Sequence, residues 1–318
     1  MEEKLVVSSS PHIRSGATTR KIMLDVILAL VPAAIAAVIV FGPRTLLIIG
    51  VTIASCVLSE YICRRVMKRE NTIGDLSAVV TGLLLAFNLP VSINPLMAAF
   101  GGMVAIVVIK QMFGGIGQNF VNPALTARII MLNSFPTQMT TWVQPHSYLG
   151  DAVTTASPLG LLKEGGSLDQ MPSLMSMFVG NTAGCIGETC ALALILGGIY
   201  LVVRKVISPV IPLCYIGTAA VLSAVMGRNV MIDLLSGGLM LGAIFMATDY
   251  ATSPITVKGQ VIFAIGCGVI TMLIRNFGSL PEGVSYSIVL MNIIVPLIDS
   301  ATRPVAFGKE PVKDEVQR

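Results

Sequence analysis

The stretch GLLLAFNLPVSINP (82–95) begins as an apolar run and then breaks twice, at Asn88-Leu89-Pro90 and at Asn94-Pro95. A second stretch, GLMLGAIFMATDYATSP (238–254), does the same, with breaks at Asp249-Tyr250 and Ser253-Pro254. Proline removes a helical N–H and blocks the turn before it. Broken backbone at membrane depth survives only where protein covers it or where it lines a cavity. The surroundings of the two stretches also correspond. Asp75-Leu76-Ser77 precedes the first and Asp233-Leu234-Leu235 the second, while KQMFGG (110–115) and RNFGS (275–279) follow them. An internal repeat with broken helices at matching places is a transporter-like pattern, with sites expected at the repeat interface.

Composition sets the medium. Of 318 residues, 54% are hydrophobic and 12% charged, against about 25% charged in a typical soluble domain. This excludes intrinsic disorder, a disulfide scaffold and a coiled coil, and leaves an all-α polytopic membrane protein. A net charge of +4 is spread over loop positions with no aromatic-basic face, so nucleic acid is not expected as a partner. The six cysteines lie in or beside apolar runs without CxxC spacing. They read as small buried hydrophobes, and no metal site is expected.

A spanning helix needs about 20 apolar residues. Ten apolar segments are expected, at about 22–41, 45–63, 73–89, 96–113, 120–135, 181–203, 209–227, 231–248, 259–275 and 284–301. The chain thus divides into an N-terminal segment (1–21), a first five-helix repeat (22–135), an outer loop (136–180), a second five-helix repeat (181–301) and a tail (302–318). Five spans per half is an odd number, so the second repeat is inverted relative to the first. With the N-terminus in the cytoplasm, 16 of the 21 basic residues fall on the inside and four (Arg44, Lys163, Arg228, Arg275) outside. The positive-inside rule therefore places both termini in the cytoplasm.

Ionisable residues within apolar segments are costly and read by default as functional. Arg128 and Glu188 stand deepest, either paired to one another or with Arg128 holding a phosphate. Asp25 and Asp249 are candidates for ion handling. Glu60, Lys110, Arg275 and Asp299 lie near segment ends, where a long side chain can reach the interface.

The outer loop contains Asp151-Ala152-Val153-Thr154-Thr155-Ala156-Ser157-Pro158-Leu159. This looks like the flavinylation motif Asp-x-x-(Ser/Thr)-Gly-Ala-Thr, whose last hydroxyl receives FMN as a phosphoester from a dedicated flavin transferase. The chemistry needs an exposed hydroxyl with small neighbours. Asp151, Thr154 and Ala156 hold motif positions. Thr155 stands where the family has Gly, and Ser157 where it usually has Thr. Ser157 is the expected attachment residue, with Thr155 and Thr154 as fallbacks. A literal Ser15-Gly16-Ala17-Thr18 occurs near the start, but His12 replaces the acid and the segment falls on the cytoplasmic side.

With SSSPHIRSGATTRKIM (8–23), NPALTARII (122–130), GNTAGCIGET (180–189), FMATDYATSP (245–254), RNFGSLPEGVSYSIVLMNIIVPLID (275–299) and the closing TRP (302–304), the chain resembles the D-type component of the Rnf complex over nearly its whole length. That complex is an ion-translocating ferredoxin:NAD+ oxidoreductase. A relative is the B-type component of the sodium-pumping NADH:quinone oxidoreductase, whose longer N-terminal region this chain lacks. The resemblance implies a ten-helix fold of two inverted repeats, similar to urea and ammonium channels. It implies a multi-pass protein of the prokaryotic cytoplasmic (inner) membrane with its flavinylated loop outside. It also implies covalent FMN and a noncovalent riboflavin, with electrons passing between them and the covalent FMN of a G-type subunit, coupled to Na+ or H+ transport. Expected partners are the A, B, C, E and G subunits and the maturing flavin transferase. Contacts with the outer FMN are expected from Arg128, Gly180, Asn181, Gly184, Glu188 and Thr189, and weaker flavin contacts from Asn122, Glu282, Phe113 and Phe277 near the broken helices. The rival reading is a channel or transporter for a small neutral solute, which would have no use for the loop motif. A third is an assembly subunit with no redox role.

Overall fold

A computed structural model describes residues 16–149, 154–163, 171–278 and 282–304. The first half opens with α1 (Thr19–Phe41) and α2 (Arg44–Val66), followed by the shorter α3 (Ser77–Phe87). Then come α4 (Pro95–Val104), which continues as a π-helical stretch over Ala105–Gln111, and α5 (Pro123–Ser134). The connection between the halves holds α6 (Pro136–Met139), an antiparallel pair of β1 (Trp142–Val143) with β2 (Thr154–Thr155), α7 (Pro158–Lys163) and α8 (Leu174–Val179). The second half holds α9 (Ala191–Val203), α10 (Val210–Val225), α11 (Val230–Leu235), α12 (Leu239–Leu241) with a π turn over Gly242–Met246, α13 (Val257–Phe277) and α14 (Val284–Thr302).

Among the described residues, α1, α2, α13 and α14 are long and apolar enough to cross a membrane; α3, α4 with its π extension, α9 and α10 are shorter apolar helices. The segment expected at 120–135 is the twelve-residue α5. Two segments depart further from plain spans. In 181–203 the helix begins only at Ala191: Gly180 ends α8 with a left-handed φ of 107°, and the non-helical stretch that follows gives its Ile186 and Gly187 N–H groups to Leu89 and Phe87. In 231–248, Ser236-Gly237-Gly238 separates α11 from α12, with Gly237 at φ 65°. Local chemistry sets the starts. Asn94 and Asn122 cap α4 and α5 through their side-chain oxygens, each followed by a Pro at the first helical position, where the missing N–H costs nothing.

The helices pack through small residues. One face of α1 buries Asp25, Ala29, Ala33 and Ala37, while Leu24, Leu28, Val31, Ile35 and Ile39 stay exposed as an apolar stripe. That buried face meets α9, where a Cβ on Gly197 would overlap the Ala29 carbonyl. On α2, Gly82 of α3 approaches the Ile53 backbone and Gly102 of α4 approaches Thr52. Close backbone contact over small residues drives helix association in lipid, where apolar burial adds little. In the second half α10 packs on α11 and α13, and α14 crosses to α5.

The described residues of the 136–180 connection close one end of the bundle. His146 N–H donates to the Val40 carbonyl (2.8 Å), Tyr148 Oη to Ile39 (3.1 Å), Ser92 Oγ to Thr141 (2.7 Å) and Lys163 Nζ to Gly278 (2.5 Å). At the other end Tyr250 Oη donates to the Val206 carbonyl, and Asp25 joins Tyr200 (2.9 Å) and Arg204 (3.3 Å).

Candidate functional site

Ser157 stands at the start of α7, half-buried, with its Oγ accepting the Gly160 N–H at 3.2 Å. It opens onto a pocket whose other walls include Thr182, Gly184, Glu188, Thr189, Ser236, Gly237 and Glu282. Thr154 and Thr155 are exposed on β2, in register with Val143 and Trp142. Asp151 lies outside the described residues. The expected attachment residue and four expected contacts (Gly184, Glu188, Thr189, Glu282) therefore meet in one place.

The floor of this pocket is a charged network reaching both halves. Arg128 of α5 donates to Asn88 Oδ1 (2.9 Å), to Ser285 Oγ (3.0 Å), to Cys185 Sγ (3.5 Å) and to Glu282, with which it forms an ion pair. Arg128 thus pairs with Glu282. Glu188 instead accepts the Cys185 N–H through Oε1 at 2.8 Å, and its Oε2 is buried without a partner. Burial is the largest influence on the Glu282 carboxyl and pushes it up, but the Arg128 guanidinium, Glu188 and Arg275 together outweigh burial and hold the acid below its ordinary range.

The segment 180–190 completes the wall by capping a broken helix. Ile186 N–H donates to Leu89 O (3.0 Å) and Gly187 N–H to Phe87 O (2.9 Å). The last carbonyls of a helix have no partner within it; in α3 Asn88 and Leu89 supply Leu84, Leu85 and Ala86, and the other half of the chain supplies Phe87.

Other expected contacts lie elsewhere. Asn181 is exposed and is not among the pocket walls. Gly180 is a turn residue packed against the Cys190 backbone. Phe113 and Phe277 are exposed, Phe113 edge-on to Phe120. Asn122 caps α5 and donates to Met246 O (3.3 Å), on the wall of a second, larger cleft.

That cleft enters from the end opposite the loop, between the halves. It is lined mainly by apolar residues such as Ile22, Val26, Leu84, Leu201 and Phe245, with polar groups that include Lys110, Asn119, Asn122, Thr248 and Asp249. Asp249 accepts the Thr252 hydroxyl at 3.2 Å. Asp25 is ion-paired with Arg204, tying α1 to α9.

Each half also holds a buried cation that reaches back to the start of its broken helix. Lys110 Nζ donates to Ser77 Oγ (2.6 Å) and to Glu60 (3.1 Å); Arg275 donates to Asp233 O (2.5 Å) and Ser236 O (3.0 Å). Thr182, Ser236, Asn88 and Ser285 are site residues that the sequence reading missed. The Ser236-Gly237-Gly238 run inside an apolar segment was the available signal.

Among the described residues no cluster of His, Cys, Asp and Glu has the geometry of a metal site, and the six cysteines are unpaired.

The model of the NQR2, RnfD, RnfE family matches residues 6–308. The chain is 48% identical over 318 residues, 99% of both chains, to the D component of the Na(+)-translocating ferredoxin:NAD(+) oxidoreductase complex of Acetobacterium woodii. It is 45% identical, over 95% of this chain and 96% of the relative, to the D component of the proton-translocating ferredoxin:NAD(+) oxidoreductase complex of Clostridium ljungdahlii. It is 38% identical, over 91% and 92%, to the D component of the ion-translocating oxidoreductase complex of Stutzerimonas stutzeri. With nearly its whole length matched on these terms, the chain belongs to the NQR2, RnfD, RnfE family.

Proposed function

We propose that this chain is the D-type membrane component of an ion-translocating ferredoxin:NAD+ oxidoreductase, the Rnf complex, and that it carries FMN as a phosphoester on Ser157. The observation that carries the reading is the convergence of Ser157 with Thr182, Gly184, Glu188, Thr189 and Glu282 around one pocket. The residues fit the group. A hydroxyl stands at the mouth, the walls include small residues, and the unpartnered Glu188 Oε2 is a ready acceptor for a flavin N–H or hydroxyl.

The riboflavin implied by the family is assigned to the opposite cleft. Its mainly apolar walls with a few polar groups are the usual make-up of a cofactor site. The two sites share α5, with Asn122 on the cleft and Arg128 under the pocket. Six residues of helix separate them, about 9 Å at 1.5 Å per residue. The flavins supply the redox chemistry; the chain supplies spacing and electrostatics.

The ten-span, inverted-repeat scaffold belongs to this proposal. Its support is the pairing of Lys110 with Ser77 and of Arg275 with Asp233 and Ser236, and the placement of the two breaks. The break at 88–94 lies at the loop end, where Ser92 meets Thr141, and the break at 247–256 at the opposite end, where Tyr250 meets Val206. Both termini are assigned to the cytoplasm and the 136–180 loop to the outside of a prokaryotic inner membrane. The A, B, C, E and G subunits are assigned as partners. Asp249, facing the cleft, remains the candidate for ion handling, with Asp25 in a supporting ion pair.

The test is a denaturing gel viewed under ultraviolet light. Co-expressed with a flavin transferase, the chain is expected to give a fluorescent band. A dark band overturns the flavoprotein reading and favours the solute-channel alternative.

A further inference from the structure

The last turn of α2 and the turn that follows it carry four cations. Arg64, Arg65, Lys68 and Arg69 line one cleft together with Tyr61 and Asn71. Arg64 is only 9% exposed, yet its Nε has no hydrogen-bond partner. Among the described residues no carboxylate pairs with it. The acid one turn back, Glu60, is fully engaged, accepting from Thr72 (2.8 Å), Gln111 (2.9 Å) and Lys110 (3.1 Å). A buried cation without a counter-charge is unfavourable, and the surrounding backbone is shaped to keep it. Gly115, at φ 107°, leaves the space into which the Arg64 guanidinium fits; a Cβ there would overlap Nη2.

The helix end gathers the other cations. Lys68 takes the left-handed position (φ 53°) that ordinarily falls to Gly. Lys68 N–H then bonds Arg65 O (3.3 Å) and Arg69 N–H bonds Arg64 O (2.9 Å), so the chain turns back on itself. Arg65 is steadied by Tyr61 Oη at 3.3 Å.

We propose that this cleft binds the phosphate group of an anionic phospholipid, with Arg64 as the inner contact and Arg65, Lys68 and Arg69 as the rim. The planar guanidinium fork matches a phosphate bidentately, and basic pockets beside spanning helices are a recognised mode of headgroup binding. A lipid is favoured over a free ion by what adjoins the cations. Leu58, Ile62 and Val66 of the same helix are all at least half exposed, an apolar track for an acyl chain running directly to the cleft.

The full chain in neutral detergent is titrated with phosphatidylglycerol, phosphatidylcholine or inorganic phosphate, following thermal unfolding and lipid retention by native mass spectrometry. Phosphatidylglycerol is expected to bind and raise the unfolding midpoint; phosphatidylcholine is not. Arg64→Gln and Arg69→Gln are each expected to weaken the response about fivefold, the equivalent of ~1 kcal/mol per basic residue near an anionic surface. Arg69→Gln, on the exposed rim, gives the same readout if Arg64→Gln does not fold. Equal responses to inorganic phosphate and phosphatidylglycerol overturn the lipid assignment in favour of a free phosphate ion. No response to either, or a wild-type response in both variants, overturns the site itself.

Discussion

Ile186 donates its backbone N–H to the carbonyl of Leu89 across 3.0 Å, so a segment of the second half finishes a helix of the first. The neighbouring bond, Gly187 to Phe87, brings backbone so close that a Cβ on Gly187 would overlap the Phe87 side chain. Gly187→Ala is therefore expected to cost about 1–3 kcal/mol, the range for overpacking. It would be read as a lowered unfolding midpoint in detergent. Adding Phe87→Ala, which opens the space, is expected to remove that steric cost while introducing its own cavity cost. A double-mutant cycle isolates the coupling.

Ser157 is the hydroxyl that opens onto the pocket. Ser157→Ala is expected to abolish the ultraviolet-excited band, whereas Thr154→Ala and Thr155→Ala, on the exposed strand, are expected to retain it. Fluorescence persisting in Ser157→Ala would move the attachment to one of the threonines.

Arg128 holds four side chains from three separate parts of the chain. Arg128→Leu leaves Glu282 without its counter-charge, and removing one partner of a buried pair costs about 3–5 kcal/mol. Arg128→Lys is expected to recover only part of this, because an ammonium cannot reproduce the guanidinium fork. Unfolding midpoints check both.

The same pair has a pH signature. Arg128, Glu188 and Arg275 together hold the Glu282 carboxyl below the ordinary range, so the folded chain binds this proton less readily than the unfolded chain. The contribution is fully present above the ordinary Glu value of about 4.3 and is lost as the pH falls through the lower folded value. The wild type is expected to lose stability on acidification through that window, and Glu282→Gln to show a flatter profile over the same range.

At the other end, Lys110→Met strands the fully buried Glu60 and is expected to cost about 3–5 kcal/mol. The double variant Lys110→Met with Glu60→Leu is expected to recover much of the loss, since an apolar pair can replace a buried ion pair. A double variant no more stable than the single one would mean that Glu60 is held chiefly by Thr72 and Gln111.

Much of this was legible in the residues. The prolines and glycines of 82–95 and 238–254 marked the helix breaks, because their backbone limits hold in any environment. The loop motif pointed to Ser157, since a hydroxyl between small neighbours has few alternative explanations. Long-range pairing was harder to read. Arg128 and Glu188 stood out as costly charges, but a linear pattern does not say which acid an arginine reaches across 154 residues. Thr182 and Ser236 gave no signal because small hydroxyl residues are common in apolar helices. Asn181 shares a motif with Gly184 and Glu188, but it follows the left-handed turn at Gly180 and stands exposed, away from the pocket walls.

The π-helical stretch over Ala105–Gln111 has a consequence for how this chain tolerates change in length. A π turn carries one residue more than an α turn, and here three successive residues, Ile109, Lys110 and Gln111, are buried while Met112 is 65% exposed. The wide turn absorbs that residue, so the helix beyond it keeps the facing that carries Lys110 to Glu60. Deleting a single residue between Ala105 and Val108 is expected to let the turn relax to α geometry and leave that facing in place. Deleting one from the α-helical part, Pro95–Val104, would instead rotate everything beyond it by about 100° and swing Lys110 away from Glu60. The stretch thus gives this helix one place where its residue count can change without loss of register.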